Sequence, residues 1–183
     1  MITRQVSAQR ILYVLSKYPD KEFSLSDLAK KAGVAKGNIG EFVRALESEQ
    51  IIKIERLSKI WRIRANRENP AFLRAKLLLN LAHIYTSDLI EVLNLHYRNP
   101  KSIVLFGSYR KGEDVSGSDI DIGIENDDVK EYTTVRLDEL SKLEKLLDRK
   151  IQIHLFNRKT TDINLFNNIA NGIVLSGFLQ VRP

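Results

Sequence analysis

Hydrophobic residues in the first third of the chain recur at the spacing of amphipathic helices. Residues 4–18 carry a rough helical stripe, and residues 24–33 begin with a capping serine and end in a helix-terminating glycine. Residues 38–50 repeat apolar side chains three and four positions apart, which is typical of a third helix. The pattern therefore predicts three short helices in this part of the chain.

Two runs after the third predicted helix alternate apolar and basic residues instead. They cover residues 51–56 and 60–64, and residues 57–59 join them. Successive side chains of a strand point to opposite faces, so this alternation predicts a β-hairpin. The next segment, residues 66–70, is polar and ends in proline, and it is the best domain boundary in the chain.

The remaining residues predict a mixed domain that follows a long helical stretch. The predicted elements are a helical stretch at 71–98 with a break near Ser87, strands at 103–106 and 119–124, a helix at 132–149, a strand at 151–156 and a helix at 162–172. We therefore expect an α+β chain with three helices and a β-hairpin, then a helical linker, then an α/β domain with a small mixed sheet.

The main chemical signal lies between the first two strands of this second domain. The apolar run 103–106 meets Gly107 and Ser108, and after a ten-residue spacer Asp119 and Asp121 alternate with isoleucines. Strand alternation turns both carboxylates to one face and the isoleucines to the core. Two adjacent carboxylates repel each other unless a cation lies between them, and Mg²⁺ carrying a phosphate suits that place. An Asp-x-Asp pair alone also fits a tight hairpin with a solvated acidic face.

The strand, Gly-Ser turn, spacer and Asp-Ile-Asp run together resemble the DNA polymerase beta-like nucleotidyltransferase superfamily. Gly112 and Ser118 make residues 88–180 most similar to its small branch, the minimal nucleotidyltransferases. The resemblance implies that Asp119 and Asp121 are catalytic and hold Mg²⁺. It further implies that a nucleoside triphosphate contacts Gly107, Ser108, Arg110, Lys111 and Ser118. The two basic residues also fit an ordinary solvated loop.

The first third of the chain resembles a winged helix-turn-helix domain, in which a hairpin follows three helices. The resemblance covers residues 1–66 and implies that the third helix enters the major groove of double-stranded DNA. The residues expected to contact DNA are Lys36, Asn38 and Arg44 on that helix and Lys59, Arg62 and Arg64 on the hairpin. A winged helix that contacts protein or forms a dimer is the alternative.

The distribution of charge favours the DNA hypothesis. Residues 1–69 contain 14 Lys and Arg against 8 Asp and Glu, whereas residues 70–183 contain 15 of each. The whole net charge of +6 therefore lies in the first third, as expected for a surface that meets nucleic acid. The chain has no cysteine and no apolar stretch of about 20 residues, so we expect no disulfide, no membrane partner and a cytoplasmic location.

One departure from the superfamily pattern concerns the third carboxylate of active members, which lies on the strand after the helix. That strand reads KIQIHL here, and Gln152 takes the expected acidic position with His154 on the same face. A glutamine oxygen can ligate Mg²⁺ but brings no charge and cannot act as a general base. His154 can accept a proton but is a poor magnesium ligand. Enzymatic activity is therefore left open.

We accordingly divide the chain into residues 1–66, a winged helix; 67–98, a helical linker and dimerisation element; and 99–183, a nucleotidyltransferase-like domain. The favoured hypothesis is a homodimeric DNA-binding transcriptional regulator whose second domain binds nucleotide with Mg²⁺ or serves as a scaffold. The alternative is an enzyme that moves a nucleoside monophosphate from a triphosphate to a hydroxyl of a protein or small molecule. For an antitoxin-like member, the protein acceptor would be a helical toxin partner.

Overall fold

The computed structural model describes residues 2–58 and 60–181 and separates the chain into two compact units, Met1–Leu79 and Asn80–Pro183. The boundary falls inside a helix, α4 (Pro70–Thr86). Phe72 packs in the core of the first unit, whereas Ile84 packs in the core of the second. Helix α4, which lies in the predicted linker 67–98, thus contributes side chains to both cores.

The first unit contains the three predicted helices and the predicted hairpin. These are α1 (Ile2–Lys17), α2 (Leu25–Ala32), α3 (Lys36–Ser48), β1 (Ile52–Leu57) and β2 (Ile60–Ala65), with the two strands antiparallel. Ser24 caps α2 by accepting a hydrogen bond from the Asp27 N–H (3.1 Å), and Gly33 ends it at φ +61°. Phe23 bridges to Ile63 and joins the hairpin to the helices.

The second unit is built on a five-stranded mixed sheet. Its elements after α4 are α5 (Leu89–His96), β3 (Ser102–Phe106), α6 (Gly107–Lys111), β4 (Ile120–Glu125), β5 (Thr133–Val135), a 3-10 turn (Asp138–Leu140), α7 (Ser141–Leu147), β6 (Ile151–Phe156), α8 (Ile163–Ala170) and β7 (Ile173–Gly177). The strand order is β5-β6-β4-β3-β7, and only the β4–β6 pair is parallel. The predicted α+β class with a small mixed sheet is confirmed. In the described part of the chain, none of the helices has the length and hydropathy needed to cross a bilayer.

The predicted helix over residues 132–149 was wrong in its first half. Residues Thr133–Val135 form the edge strand β5 and pair with β6, where Thr134 lies opposite His154. Three consecutive β-branched residues lose side-chain freedom in a helix and fit a pleated surface, and the free edge of β6 supplies the hydrogen bonds. The helical segment is therefore limited to Ser141–Leu147.

The two faces of the sheet carry different side chains. On one face, Ile120, Ile122 and Ile124 are fully buried among helix side chains, as the alternation predicted. On the other, the Phe106 and Phe156 side chains pack with α8. Asp121 lies directly opposite Phe106 in the β3–β4 register, so its carboxylate shares this second face, beyond the part that α8 covers.

The turn between α8 and β7 is packed too tightly for any side chain at Gly172. A Cβ there would lie 2.6 Å from the Leu105 carbonyl oxygen and 2.7 Å from that of Ile169. Gly172→Ala should lower the free energy of unfolding by about 1–3 kcal/mol, as overpacking usually does. Urea unfolding followed by circular dichroism measures this, with Gly117→Ala as control because its Cβ would meet nothing within 4 Å. Equal stability of the two variants would contradict the packing.

The side chain of Glu144 connects the end of α7 to the start of β6. Its carboxylate accepts hydrogen bonds from the Ile151 N–H and the Lys150 ammonium, each at 2.9 Å. Burial alone would raise the pKa of Glu144, but these hydrogen bonds outweigh it and hold the pKa below its ordinary value. The ionised carboxylate therefore stabilises the folded state above the ordinary pKa of glutamate, and this contribution is lost as the pH falls through the lowered pKa.

Glu144→Gln should accordingly cost roughly 1.5–3 kcal/mol of stability at pH 7, the range for hydrogen bonds to a charged group. The difference from the wild-type protein should shrink towards acidic pH. Urea unfolding at a series of pH values measures it, with Glu131→Gln as a matched control on an exposed segment. A difference that is constant from neutral to acidic pH would reject the assigned role of the carboxylate.

Candidate functional site

The turn from β3 into α6 brings the main chain against the Asp121 carboxylate. Gly107 occupies this turn with φ +71°, a left-handed conformation that favours glycine. A Cβ at Gly107 would lie only 2.2 Å from Asp121 Oδ2, so the position excludes a side chain for two independent reasons. Phe106 and Asp121 are paired neighbours in the β3–β4 ladder, and this pairing fixes the approach.

Asp119 lies directly before β4 and is partly exposed. Its Oδ2 is 3.6 Å from Nη2 of Arg136, which follows β5. Arg136 is itself 63% exposed, so this ion pair adds little to stability and is free to exchange partners. Asp119 is thus paired with Arg136, a residue that lies in the predicted helix 132–149.

The Asp121 carboxylate also accepts a hydrogen bond from the ring of His154, with 3.1 Å between Oδ1 and Nε2. The other ring nitrogen, Nδ1, is bonded to the Tyr132 hydroxyl at 2.5 Å. The His154 ring is buried and meets Phe106 edge to face, with 4.8 Å between ring centroids. Burial, and then the charge of Asp121, raise the pKa of the Tyr132 phenol.

Gln152 lies next to Asp121 in the parallel β4–β6 register. This is the position at which the resemblance to the superfamily predicts a third carboxylate. Asp119, Asp121 and Gln152 are all partly exposed, so their oxygens can meet a ligand from solvent. Two carboxylates and an amide oxygen suit one Mg²⁺, which takes oxygen ligands and keeps water or phosphate in its other positions. Across residues 2–58 and 60–181, no group of three His, Cys, Asp or Glu side chains is arranged to hold a metal. Asp119, Asp121 and Gln152 are thus the residues that could hold a magnesium ion, and their two negative charges are fewer than a pair of metal ions needs.

A buried polar cluster anchors the spacer between the Gly-Ser turn and Asp119. Asp114 is 1% exposed and accepts a hydrogen bond from Asn80 Nδ2 (2.8 Å), which also donates to the Tyr109 carbonyl (2.9 Å). Arg149 Nη2 lies 3.7 Å from the other oxygen of Asp114. These contacts hold the spacer to α4 and to the start of β6. Sequence analysis missed all three residues, since nothing local distinguishes Asp114 from a solvated loop aspartate.

The other predicted nucleotide contacts occupy the same end of the sheet. Ser118 Oγ accepts a hydrogen bond from the Val115 N–H (2.9 Å) and so shapes the spacer. Lys111 is exposed, with its ammonium 4.0 Å from Glu113, while Ser108 and Arg110 are partly exposed on α6. Beside Asp119, a cavity of about 360 Å³ opens between the spacer and α7, and its lining includes Ser116, Ser118, Ser141 and Lys145.

The predicted DNA contacts in the first unit are exposed. Lys36, Asn38 and Arg44 lie on α3, whose first turn receives no side-chain cap from Ala35. Lys36 and Arg44 line a groove of about 450 Å³ that also includes Ser26 at the start of α2. Arg62 and Arg64 are exposed on β2, with Arg62 3.9 Å from Glu55. Lys59 lies outside the described residues.

Comparison with known families gives one match. Residues 87–177 match the family model described as Polymerase beta, Nucleotidyltransferase. Neither the curated proteins nor the solved structures yield a match to the chain. The matched range holds the Gly107 turn, both aspartates and the Gln152 strand, so the assignment covers the whole candidate site. The match thus supports a nucleotidyltransferase domain of the polymerase beta type within residues 87–177, just under half of the chain.

Proposed function

We propose that the second unit binds a nucleoside triphosphate with Mg²⁺ and transfers its nucleoside monophosphate to a hydroxyl acceptor. The observation that carries this proposal is the contact between the Asp121 carboxylate and the Gly107 turn, with Asp119 directly before the same strand. This arrangement places two anionic ligands beside main chain that no side chain covers. Asp119 and Asp121 would hold Mg²⁺, and the ion would supply positive charge to offset the charge of the phosphates.

The residues around the aspartates have separate roles in this proposal. Gly107 and Ser108 present the main chain of the turn to the triphosphate, and Ser118 keeps the spacer in shape. Arg110 and Lys111 lie on α6, where a positive charge can stabilise the departing pyrophosphate. Arg136 pairs with Asp119 and can turn to a phosphate oxygen once a ligand occupies the aspartate, since both side chains are solvent-accessible.

Replacement of aspartate by asparagine tests the nucleotide site. Asp119→Asn/Asp121→Asn should weaken binding of the preferred triphosphate in the presence of Mg²⁺ by at least about tenfold. The reason is that contacts to a charged group contribute about 1.5–3 kcal/mol, and 1.4 kcal/mol is a factor of ten. Calorimetric titration with ATP, GTP, CTP and UTP measures this and identifies the preferred base.

Asp127→Asn/Asp128→Asn is the matched control for this titration. It removes the same charge from the exposed turn at the other end of β4, where Asp127 pairs with Lys101. The control should bind as the wild-type protein does. If no triphosphate binds the wild-type protein, or if the Asp119/Asp121 variant binds equally well, the proposed site is wrong.

A DNA-binding regulator is the second candidate, and the exposed basic surface of the first unit favours it. Lys36 and Arg44 flank the groove at the start of α3, and Arg64 projects from β2. Three helices followed by a hairpin are the elements of a winged helix, whose third helix reads the major groove. In this candidate the protein is a homodimer, because operators are two-fold symmetric, and the second unit senses nucleotide.

The salt dependence of DNA binding tests this second candidate. Replacing Lys36, Arg44 and Arg64 together by Gln should weaken binding to a labelled duplex. It should also lower the slope of log affinity against log salt by up to about three, roughly one per lost phosphate contact. Fluorescence anisotropy at several salt concentrations measures both quantities.

The matched control replaces three exposed basic residues of the second unit, Arg98, Lys130 and Lys142, by Gln. It changes the net charge equally, so a loss confined to the first variant assigns the contact to α3 and β2. Equal losses of affinity in both variants would mean that net charge alone causes the binding. If the wild-type protein does not bind DNA, the regulator hypothesis is rejected.

A further inference from the structure

The Tyr132 hydroxyl is held at the candidate active site by the chain's own side chains. It is bonded to Nδ1 of His154, whose Nε2 is bonded to Oδ1 of Asp121. The Tyr132 and His154 rings are stacked with 5.9 Å between centroids. The phenol oxygen is therefore separated by a single imidazole ring from Asp121, one of the two carboxylates that would hold Mg²⁺.

The hydrogen bonds around His154 define a direction for the phenol proton. The Asp121 carboxylate only accepts, so Nε2 of His154 must carry a hydrogen and donate it. In the neutral ring Nδ1 then has a free lone pair, and the Tyr132 hydroxyl donates to it. A ring nitrogen oriented by a carboxylate gives the Tyr132 hydroxyl a neighbouring proton acceptor, which the phenol needs because burial and Asp121 raise its pKa.

Tyr132 is also placed so that it can meet a bound substrate. Tyr132 directly precedes the three-residue edge strand β5. The residue is 37% exposed to solvent. Thr134 and Arg136 alternate with it along the segment, and Arg136 contacts Asp119. The segment 132–136 therefore reaches Asp119 directly through Arg136, and Asp121 through the His154 ring, from the edge of the sheet.

We propose that Tyr132 is an acceptor for nucleotidyl transfer, so that this domain modifies itself on that hydroxyl. This inference rests on the proposed nucleotidyltransferase function. The Tyr132 oxygen attacks the α-phosphorus of the triphosphate, and a new oxygen–phosphorus bond forms. The bond from that phosphorus to the bridging oxygen breaks, and pyrophosphate leaves with the electron pair. The phenol proton passes to Nδ1 of His154, so the products are a nucleoside monophosphate ester of Tyr132, pyrophosphate and one proton.

Self-modification at this position would alter the site that performs it. A phosphodiester on Tyr132 removes the hydrogen that the hydroxyl donates to His154, and it places a negative charge beside Asp121. Repulsion between the phosphodiester and the phosphates of a second triphosphate should disfavour its binding. The modified protein should therefore accumulate with one nucleotide per chain and then stop.

Intact-protein mass spectrometry after incubation with Mg²⁺ and each of ATP, GTP, CTP and UTP tests the proposal. The expected result is a gain of one nucleoside monophosphate, which peptide mapping assigns to Tyr132. Tyr132→Phe keeps the ring and should lose the adduct. Tyr85→Phe, a change at an exposed tyrosine of α4, should keep it. His154→Gln should slow labelling by about 100-fold or more, the usual contribution of a general base.

Calorimetric titration of the wild-type protein and of Tyr132→Phe with the same triphosphates distinguishes a failure of the self-modification from a failure of the proposed nucleotide site. Triphosphate binding without an adduct on Tyr132, or an adduct on another residue, would overturn the self-modification and leave the proposed nucleotide site standing. Absence of both binding and adduct would overturn both proposals. Binding by both proteins, with the adduct confined to those that keep Tyr132, is the expected outcome.

A measurement without nucleotide checks the proton arrangement directly. Nitrogen-15 NMR of the His154 ring should show the tautomer with hydrogen on Nε2, and Tyr132→Phe should shift the Nδ1 resonance. A hydrogen on Nδ1 in the wild-type protein at neutral pH would mean that Tyr132 accepts rather than donates, and it would overturn the inference.

Discussion

The close approach of the Asp121 carboxylate to the main chain at Gly107 is the constraint on which the candidate site depends. It follows from the antiparallel pairing of Phe106 with Asp121 and from a left-handed glycine at the first residue after β3. Any side chain at Gly107 would occupy the space of the carboxylate. The same pairing turns the isoleucines of β4 into the core, so the strand that buries the sheet is also the strand that presents the acid.

Side-chain partners of the two aspartates explain how this arrangement persists in a folded chain. Asp121 is bonded to His154 and Asp119 is paired with Arg136, so neither carboxylate depends on a bound cation for a partner. The spacer before them is fixed by Asp114, a buried carboxylate that accepts a hydrogen bond from Asn80 and lies 3.7 Å from Arg149. A buried pair of this kind contributes more to position than to stability, because desolvation offsets its attraction, whereas loss of one partner is costly. Buried contacts of Asp114 therefore fix the spacer, whereas Arg136 at Asp119 is exposed and can exchange partners.

The two candidate functions make different demands on the two units. Transfer chemistry needs the aspartates, the Gly107 turn and an acceptor hydroxyl, all of which lie in residues 87–177, the range that matches the nucleotidyltransferase family. Under the proposed function, Gln152 beside Asp121 would leave charge for one well-held metal, which would disfavour fast turnover but suit a slow reaction or nucleotide sensing. DNA recognition needs only the exposed basic residues of α3 and β2. The two functions are therefore compatible within one chain, and a nucleotide bound at one unit could regulate the other only through differential binding energy.

Sequence alone determined the features that depend on local periodicity and local chemistry. Alternation in β4 placed the aspartates on one face and the buried isoleucines on the other, the Gly-Ser motif marked the turn after β3, and spacing located the three helices and the hairpin of the first unit. Alternation in β6 also identified Gln152 as the neighbour of Asp121.

Only the tertiary structure decided what depends on pairing between distant segments. Residues 133–135 became a strand because the edge of β6 was available to them, although a helical pattern follows directly. Tyr132 meets His154 across 22 positions and Asp114 meets Asn80 across 34, and no local pattern encodes such contacts, since each partner alone is an ordinary polar residue.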